Sequence, residues 1–201
     1  MLRLGLTGGI ASGKSWVASL LRELDFHVLD ADLLGHHLIE PGQAAHEDVG
    51  REFGREILRA DGSVDRKKLG AIVFADPAKL AKLNFILHPR IEEAMNAQFA
   101  KWQSEGVRDA VFVEAALLVE AGMHRRLSGL VVVWCRPEDQ VARLRARGLS
   151  EEEALRRISL QLPTQEKLKH ATYAIDTSGT MQYTQEQVAA LAEKLRASTS
   201  L

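Results

Sequence analysis

Hydrophobic positions along the chain alternate between short continuous runs and longer stretches with helical spacing. Leu2, Leu4 and Leu6 form a first strand. A Gly-rich turn follows, and then Trp16, Val17, Leu20, Leu21 and Leu24 recur at the spacing of an amphipathic helix. Phe26 to Leu29 reads as a second strand that runs into Asp30-Ala31-Asp32. Ala110–Ala116 and Leu130–Cys135 are nearly unbroken apolar runs, the pattern of strands buried on both faces of a parallel sheet. Tyr173 to Ile175 is a short fifth strand. Strands alternating with helices predict an α/β sheet with helices on both faces.

Residues 33–99 depart from that alternation, because the pattern there is almost entirely helical. Val49, Phe53 and Ile57 share one face, and Ile91, Met95 and Phe99 make a second stripe. Asp61-Gly62 is a turn, and Asp76-Pro77 is an N-cap followed by a first-turn proline. His88 precedes Pro89, which biases its backbone toward extended geometry and predicts a helix boundary there. The stretch is too long for an ordinary crossover and predicts a helical lobe over the sheet edge. Residues 136–169 are rich in both charges and read as two or three helices. Thr184 and Gln187 have the spacing of a capping box for a last helix reaching about Arg196. The expected organisation is one domain over 1–201. Its core is formed by 1–32, 105–135 and 170–201, with a helical lobe at 33–100 and a lid at 136–169.

The strand-to-helix turn carries the clearest chemistry. Gly8-Gly9-Ile10-Ala11-Ser12-Gly13-Lys14-Ser15 matches G-x-x-x-x-G-K-[ST], with a strand before it and a helix after it. Glycines allow positive φ values in a tight anion-wrapping turn, backbone N–H groups point inward, and the helix N-terminus adds its dipole. Nucleotide contacts are therefore expected from Gly9, Ile10, Ala11, Ser12, Gly13, Lys14, Ser15 and Trp16. Lys14 supplies a point charge to the β- and γ-phosphates of ATP, and the Ser15 hydroxyl is a ligand for Mg²⁺. The loop alone does not separate a kinase from an ATPase or a GTPase. No N-K-x-D guanine signature is present. Asp32, just past the second strand, suits a base that accepts a proton from an attacking hydroxyl; an aspartate there also suits a helix N-cap.

Composition narrows the class. The 201 residues are 46% hydrophobic and 26% charged, as in an ordinary globular chain, with a formal net charge of −1. No basic excess points to nucleic acid or to anionic lipid. The single cysteine, Cys135, excludes an intramolecular disulfide, and no Cys/His cluster suggests zinc. No apolar run approaches the ~18 residues of a membrane span. The expectation is a cytoplasmic monomer or weak homo-oligomer acting on a small molecule.

The ordered motifs resemble the dephospho-coenzyme A kinase family. Leu6–Ser15 is similar to its LTGGIGSGKS and Val28–Asp32 to its VIDAD, while Glu40-Pro41-Gly42 matches its EPG. Asp61–Arg66 resembles DG-x-[LI]-[DN]-R, Leu83–Pro89 resembles LN-x-I-x-HP, and Leu117–Glu120 resembles PLLFE. Gln140, Arg143 and Arg147 fit Q-x-x-R-x-x-x-R, and Gln161, Lys167 and Ala171 fit Q-x(5)-K-x-x-A. The resemblance implies a P-loop kinase fold that phosphorylates the ribose 3′-hydroxyl of dephospho-CoA. It implies Asp32 as catalytic base, Lys14 and Arg143 as catalytic cations, Arg147 as an ATP contact from the lid, and His88 and Glu120 on the acceptor side. Kinases of another small alcohol or nucleotide, and a nucleotide-dependent switch, are the alternatives. The chain departs from the family at Gly35-His36 in place of Ala-Arg, at Ala116 in place of proline, at Val119 in place of phenylalanine, and at Thr172 and Thr177 in place of Asp and Asn.

Overall fold

A computed structural model of the chain describes residues 1–199. The last two residues of the expected core, 200–201, lie outside the described part. The chain divides into two compact units, Met1–Asp30 with Gly106–Leu201 and Ala31–Glu105.

The first unit is built on five strands, β1 (Arg3–Gly8), β2 (His27–Asp30), β3 (Val111–Glu114), β4 (Gly129–Trp134) and β5 (Tyr173–Asp176). They pair in the order β2-β3-β1-β4-β5, and every pairing is parallel. The strand that feeds the Gly-rich turn is thus central, which explains why its residues from Leu4 to Gly8 are buried. Helix α1 (Lys14–Glu23) and helix α9 (Met181–Thr199) share one face of the sheet. Leu4, Leu6, Phe112, Val131, Val133 and Ile175 from the strands meet Val17, Leu21, Val188, Leu191 and Leu195 there. Each such side chain contributes about 1.5–3 kcal/mol by leaving water. Phe26 adds an edge-to-face contact with Phe112 at 5.6 Å between centroids. On the opposite face Leu118 and Leu127 close over Gly5, where an added Cβ would lie 3.1 Å from each.

Three helices follow β4: α6 (Pro137–Ala146), α7 (Glu151–Ser159) and α8 (Thr164–Leu168). Ser150 caps α7 by accepting the Glu153 N–H. The start of α9 corrects the sequence expectation. Thr184 is buried inside the helix, and Thr180 caps it instead by accepting the Tyr183 N–H at 3.1 Å. Gln187 has a different task from box formation: its amide spans back to β5, accepting from Asp176 N at 2.9 Å and donating to Asp176 O at 2.7 Å.

The second unit contains α2 (Ala31–Leu38), α3 (His46–Phe53), α4 (Arg66–Phe74) and α5 (Pro77–Ser104). Val49, Phe53 and Ile57 are all buried, as their shared stripe requires. The Asp61-Gly62 turn closes a short antiparallel bridge between Leu58 and Val64. Asp76 caps α5 with Pro77 in its first turn, as expected.

The helix boundary expected at His88 is absent: α5 continues through Pro89 for fifteen more residues. A proline in a helix interior withdraws one N–H and costs about 3 kcal/mol. Here the carbonyl that loses its partner belongs to Phe85, a residue that is 82% exposed. Arg90 also donates from Nη1 to the Ile86 carbonyl at 2.7 Å, bracing the turn that the proline interrupts.

Candidate active site

The phosphate-binding turn leaves the centre of the sheet between β1 and α1. Positive φ values occur at Ala11 (58°) and Gly13 (88°), so one of the two left-handed positions is held by a residue with a side chain. Gly8 and Gly9 serve close approach instead. A Cβ on Gly8 would lie 2.4 Å from both the Val133 carbonyl oxygen and Ser12 Oγ, and a Cβ on Gly9 2.6 Å from Gln140 Nε2. Because a strand carbonyl cannot swing aside, Gly8→Ala is expected to cost about 3 kcal/mol. Urea denaturation of the full chain measures it.

Within the turn, Ser12 N donates to Gly9 O at 3.1 Å. The Ser12 hydroxyl is fully buried and, among the described residues, the one such side-chain polar atom without a partner. A buried orphan donor in an anion-wrapping loop is what a missing phosphate oxygen would satisfy. Gly13 caps α1, and the Lys14 and Ser15 amides that open the helix suit an anion. Ser15 is exposed in that first turn. Trp16, expected as a nucleotide contact, packs its ring against the sheet core.

Lys14 reveals a residue that the sequence reading passed over. Its Nζ donates to Glu114 Oε1 at 2.7 Å, and Arg22 Nη2 reaches Glu114 Oε2 at 3.4 Å. Glu114 is 2% exposed. It ends β3, and the register sets it beside Leu6 of β1 on one side and Asp30 of β2 on the other. This is the C-terminal edge where ligands of open α/β sheets bind. Ser15 Oγ and the Glu114 carboxylate are hard oxygen donors of the kind Mg²⁺ takes.

The expected lid cations are placed differently from each other. Arg143 donates from Nη1 to Ala11 O and Thr177 Oγ1, both at 3.1 Å, and from Nη2 to Thr177 O at 2.5 Å. Thr177 itself donates to Ser12 O at 2.6 Å. One of the departures from the family pattern is therefore a buried connector between the loop and Arg143. Arg147 follows the last turn of α6 and is exposed.

Glu120 lies beyond β3, which stops at Glu114. Its carboxylate accepts from Lys167 Nζ at 2.8 Å and from Leu162 N at 3.0 Å. Lys167 is wholly buried and also donates to Ala116 O at 2.7 Å. Thr172 Oγ1 accepts from Leu130 N. Cys135 is buried, and desolvation pushes its thiol above the usual range.

In the second unit, Asp32 occupies the first turn of α2, two residues past the end of β2, and is exposed. Gly35 is buried against Ile91, while His36 is exposed. His88 is half-buried within α5, and burial lowers its imidazole pKa below the ordinary 6.5. The unfolded chain therefore takes up a proton that the folded unit resists. The stability contribution is full above about pH 6.5 and is lost as pH falls through the lower folded value. Denaturation midpoints taken from about pH 7.5 to about pH 5 should fall more steeply for the parent chain than for His88→Gln.

A model of the dephospho-CoA kinase family matches residues 2–183. A dephospho-CoA kinase of Symbiobacterium thermophilum is 46% identical over 188 residues, covering 93% of this chain and 78% of that protein. The crystal structure of TT1252 from Thermus thermophilus superposes with a TM-score of 0.83 at 35% identity, covering 96% of this chain and 97% of that one. The dephospho-CoA kinase from Campylobacter jejuni gives a TM-score of 0.71 at 28% identity, covering 98% of each chain. With the phosphate loop and Glu114 at the C-terminal edge of the sheet and the match running through nearly the whole sequence, this chain belongs to the dephospho-CoA kinase family.

Proposed function

We propose that the chain transfers the γ-phosphoryl group of ATP to the ribose 3′-hydroxyl of dephospho-CoA, with the roles divided as follows. The 8–15 turn and the N-terminus of α1 hold the phosphates through main-chain amides, the Ser12 hydroxyl and Lys14. Lys14 and Arg143 stabilise the negative charge that builds on the transferred group, and Arg147 contacts ATP from the lid. Asp32 orients the acceptor hydroxyl and takes its proton. Ser15 and Glu114 are the residues suited to hold Mg²⁺, which when bound neutralises phosphate charge. His88 of the helical unit and Glu120 are assigned to the acceptor, and the 136–169 lid to ATP.

The observation that carries this reading is the pairing of a complete phosphate loop with a buried carboxylate on its lysine, in a chain matched to the family over residues 2–183. Among the described residues no helix is long and apolar enough to cross a membrane. The setting this reading carries is a cytoplasmic monomer or weak homo-oligomer with no nucleic-acid partner, in keeping with the formal net charge of −1. Incubation of the purified chain with Mg-ATP and dephospho-CoA should yield CoA, read by mass. Nucleosides and nucleoside monophosphates run in parallel should remain unmodified. Preferential phosphorylation of one of these would transfer the assignment to another acceptor.

A further inference from the structure

The two peptide groups that flank Ile10 are each held by a side chain far along the chain. Its N–H donates to Gln161 Oε1 at 2.7 Å, and its carbonyl accepts from Gln140 Nε2 at 2.7 Å. Gln140 lies on α6 and is 5% exposed, and Gln161 follows α7. The preceding residue makes room for this contact, since Gly9 lacks the Cβ that would collide with Gln140. The following residue is Ala11, in the left-handed conformation at φ 58°. An alanine stays in that conformation only where its surroundings over-determine it. Those surroundings come from the same helices: Arg143 of α6 donates to the Ala11 carbonyl, and the Ala11 methyl packs with Leu144 of α6 and Ala154 of α7.

We propose that Gln140 and Gln161 are positioning residues for phosphoryl transfer, fixing the two peptide planes on either side of Ile10 and through them the left-handed turn that aims the following loop amides at the nucleotide. Neither touches the reacting atoms. Both act through the loop, and both belong to the segment that follows β4, so the placement of that segment is communicated directly to the phosphate site. This rests on the reading of the loop as the ATP site and is independent of which acceptor is used.

The two glutamines have opposite polarities. The Ile10 N–H requires an acceptor and the Ile10 carbonyl requires a donor, so Gln161 presents its oxygen and Gln140 its NH₂. A carboxylate is acceptor-only. Glutamate can therefore replace Gln161 but not Gln140, although the two substitutions add the same charge beside the same residue.

The test uses the full chain, with ATP affinity measured by calorimetry without acceptor, followed by steady-state kinetics with dephospho-CoA. Gln140→Glu and Gln140→Met are each expected to weaken ATP binding and raise the KM for ATP about tenfold, the equivalent of one lost hydrogen bond. The KM for dephospho-CoA should stay within about twofold. Gln161→Met should match the Gln140 variants, whereas Gln161→Glu should remain within about threefold of the parent. Equal losses for glutamate at both positions would assign the effect to charge alone and overturn the proposal, as would methionine variants that bind ATP like the parent. If Gln140→Glu does not fold, Gln140→Met decides. A parent chain that binds ATP without phosphorylating dephospho-CoA would remove the acceptor assignment and leave the calorimetric comparison intact.

Discussion

Asp32→Asn is expected to lower kcat by about 10³-fold while ATP affinity stays within about threefold. Asparagine keeps the size and hydrogen-bonding reach of the side chain but has no basic site at neutral pH. Any proton transfer that Asp32 performs is therefore lost, and the ground-state contacts to nucleotide are not. The location motivates the assignment. β2 ends at Asp30, in register with Glu114 and, through β3, with Leu6 just ahead of the phosphate loop; Asp32 follows two residues later in the chain. Single-turnover rates with saturating Mg-ATP and dephospho-CoA isolate the chemical step from product release. If the Asn variant turns over within about tenfold of the parent, Asp32 is an N-terminal helix residue and the base must be sought elsewhere.

The parts of this fold that were legible in advance are those set by local chemistry. Unbroken runs such as 130–135 announce strands because a parallel strand is buried on both faces, and the phosphate loop announces itself through residues contiguous in the chain. Three readings failed where a contact that the pattern does not announce outweighed it. Thr184 and Gln187 have the spacing of a capping box, but Thr180 caps the helix one turn earlier and Gln187 is drawn to Asp176 of β5. Pro89 should have ended a helix, but the exposed position of Phe85 and the Arg90 guanidinium let α5 continue. Glycines were expected to supply the loop's left-handed turns, yet Ala11 takes one because α6 and α7 pack on its methyl. Glu114 escaped notice for the same reason. It closes an apolar strand run and resembles a boundary residue until its partner, a hundred positions earlier, is seen beside it. A single charge ending a buried strand next to a phosphate loop is the signal that would have found it.

Glu114→Gln is the second large effect expected, and it separates two roles for the Lys14 pair. The carboxylate pairs with Lys14 and reaches Arg22 as well, while being almost wholly removed from water. Breaking a fully buried pair costs about 3–5 kcal/mol. Lys14 retains 13% side-chain exposure and Arg22 44%, so both cations can recover some hydration, and a loss of about 2 kcal/mol is the expected outcome in urea denaturation. For activity the two roles predict opposite signs. If Glu114 only restrains the lysine at rest, the neutral glutamine frees Lys14 for phosphate and ATP binds more tightly with kcat unchanged. If Glu114 orients Lys14 and helps hold Mg²⁺ during transfer, kcat falls by about 10²-fold or more, and raising the Mg²⁺ concentration restores part of it. The second result is expected, because the carboxylate ends β3 at the edge of the sheet where Ser15 opens and the loop's own orphan hydroxyl waits for a phosphate oxygen. Single-turnover rates of the glutamine variant across a Mg²⁺ titration, set beside its ATP affinity, distinguish the two.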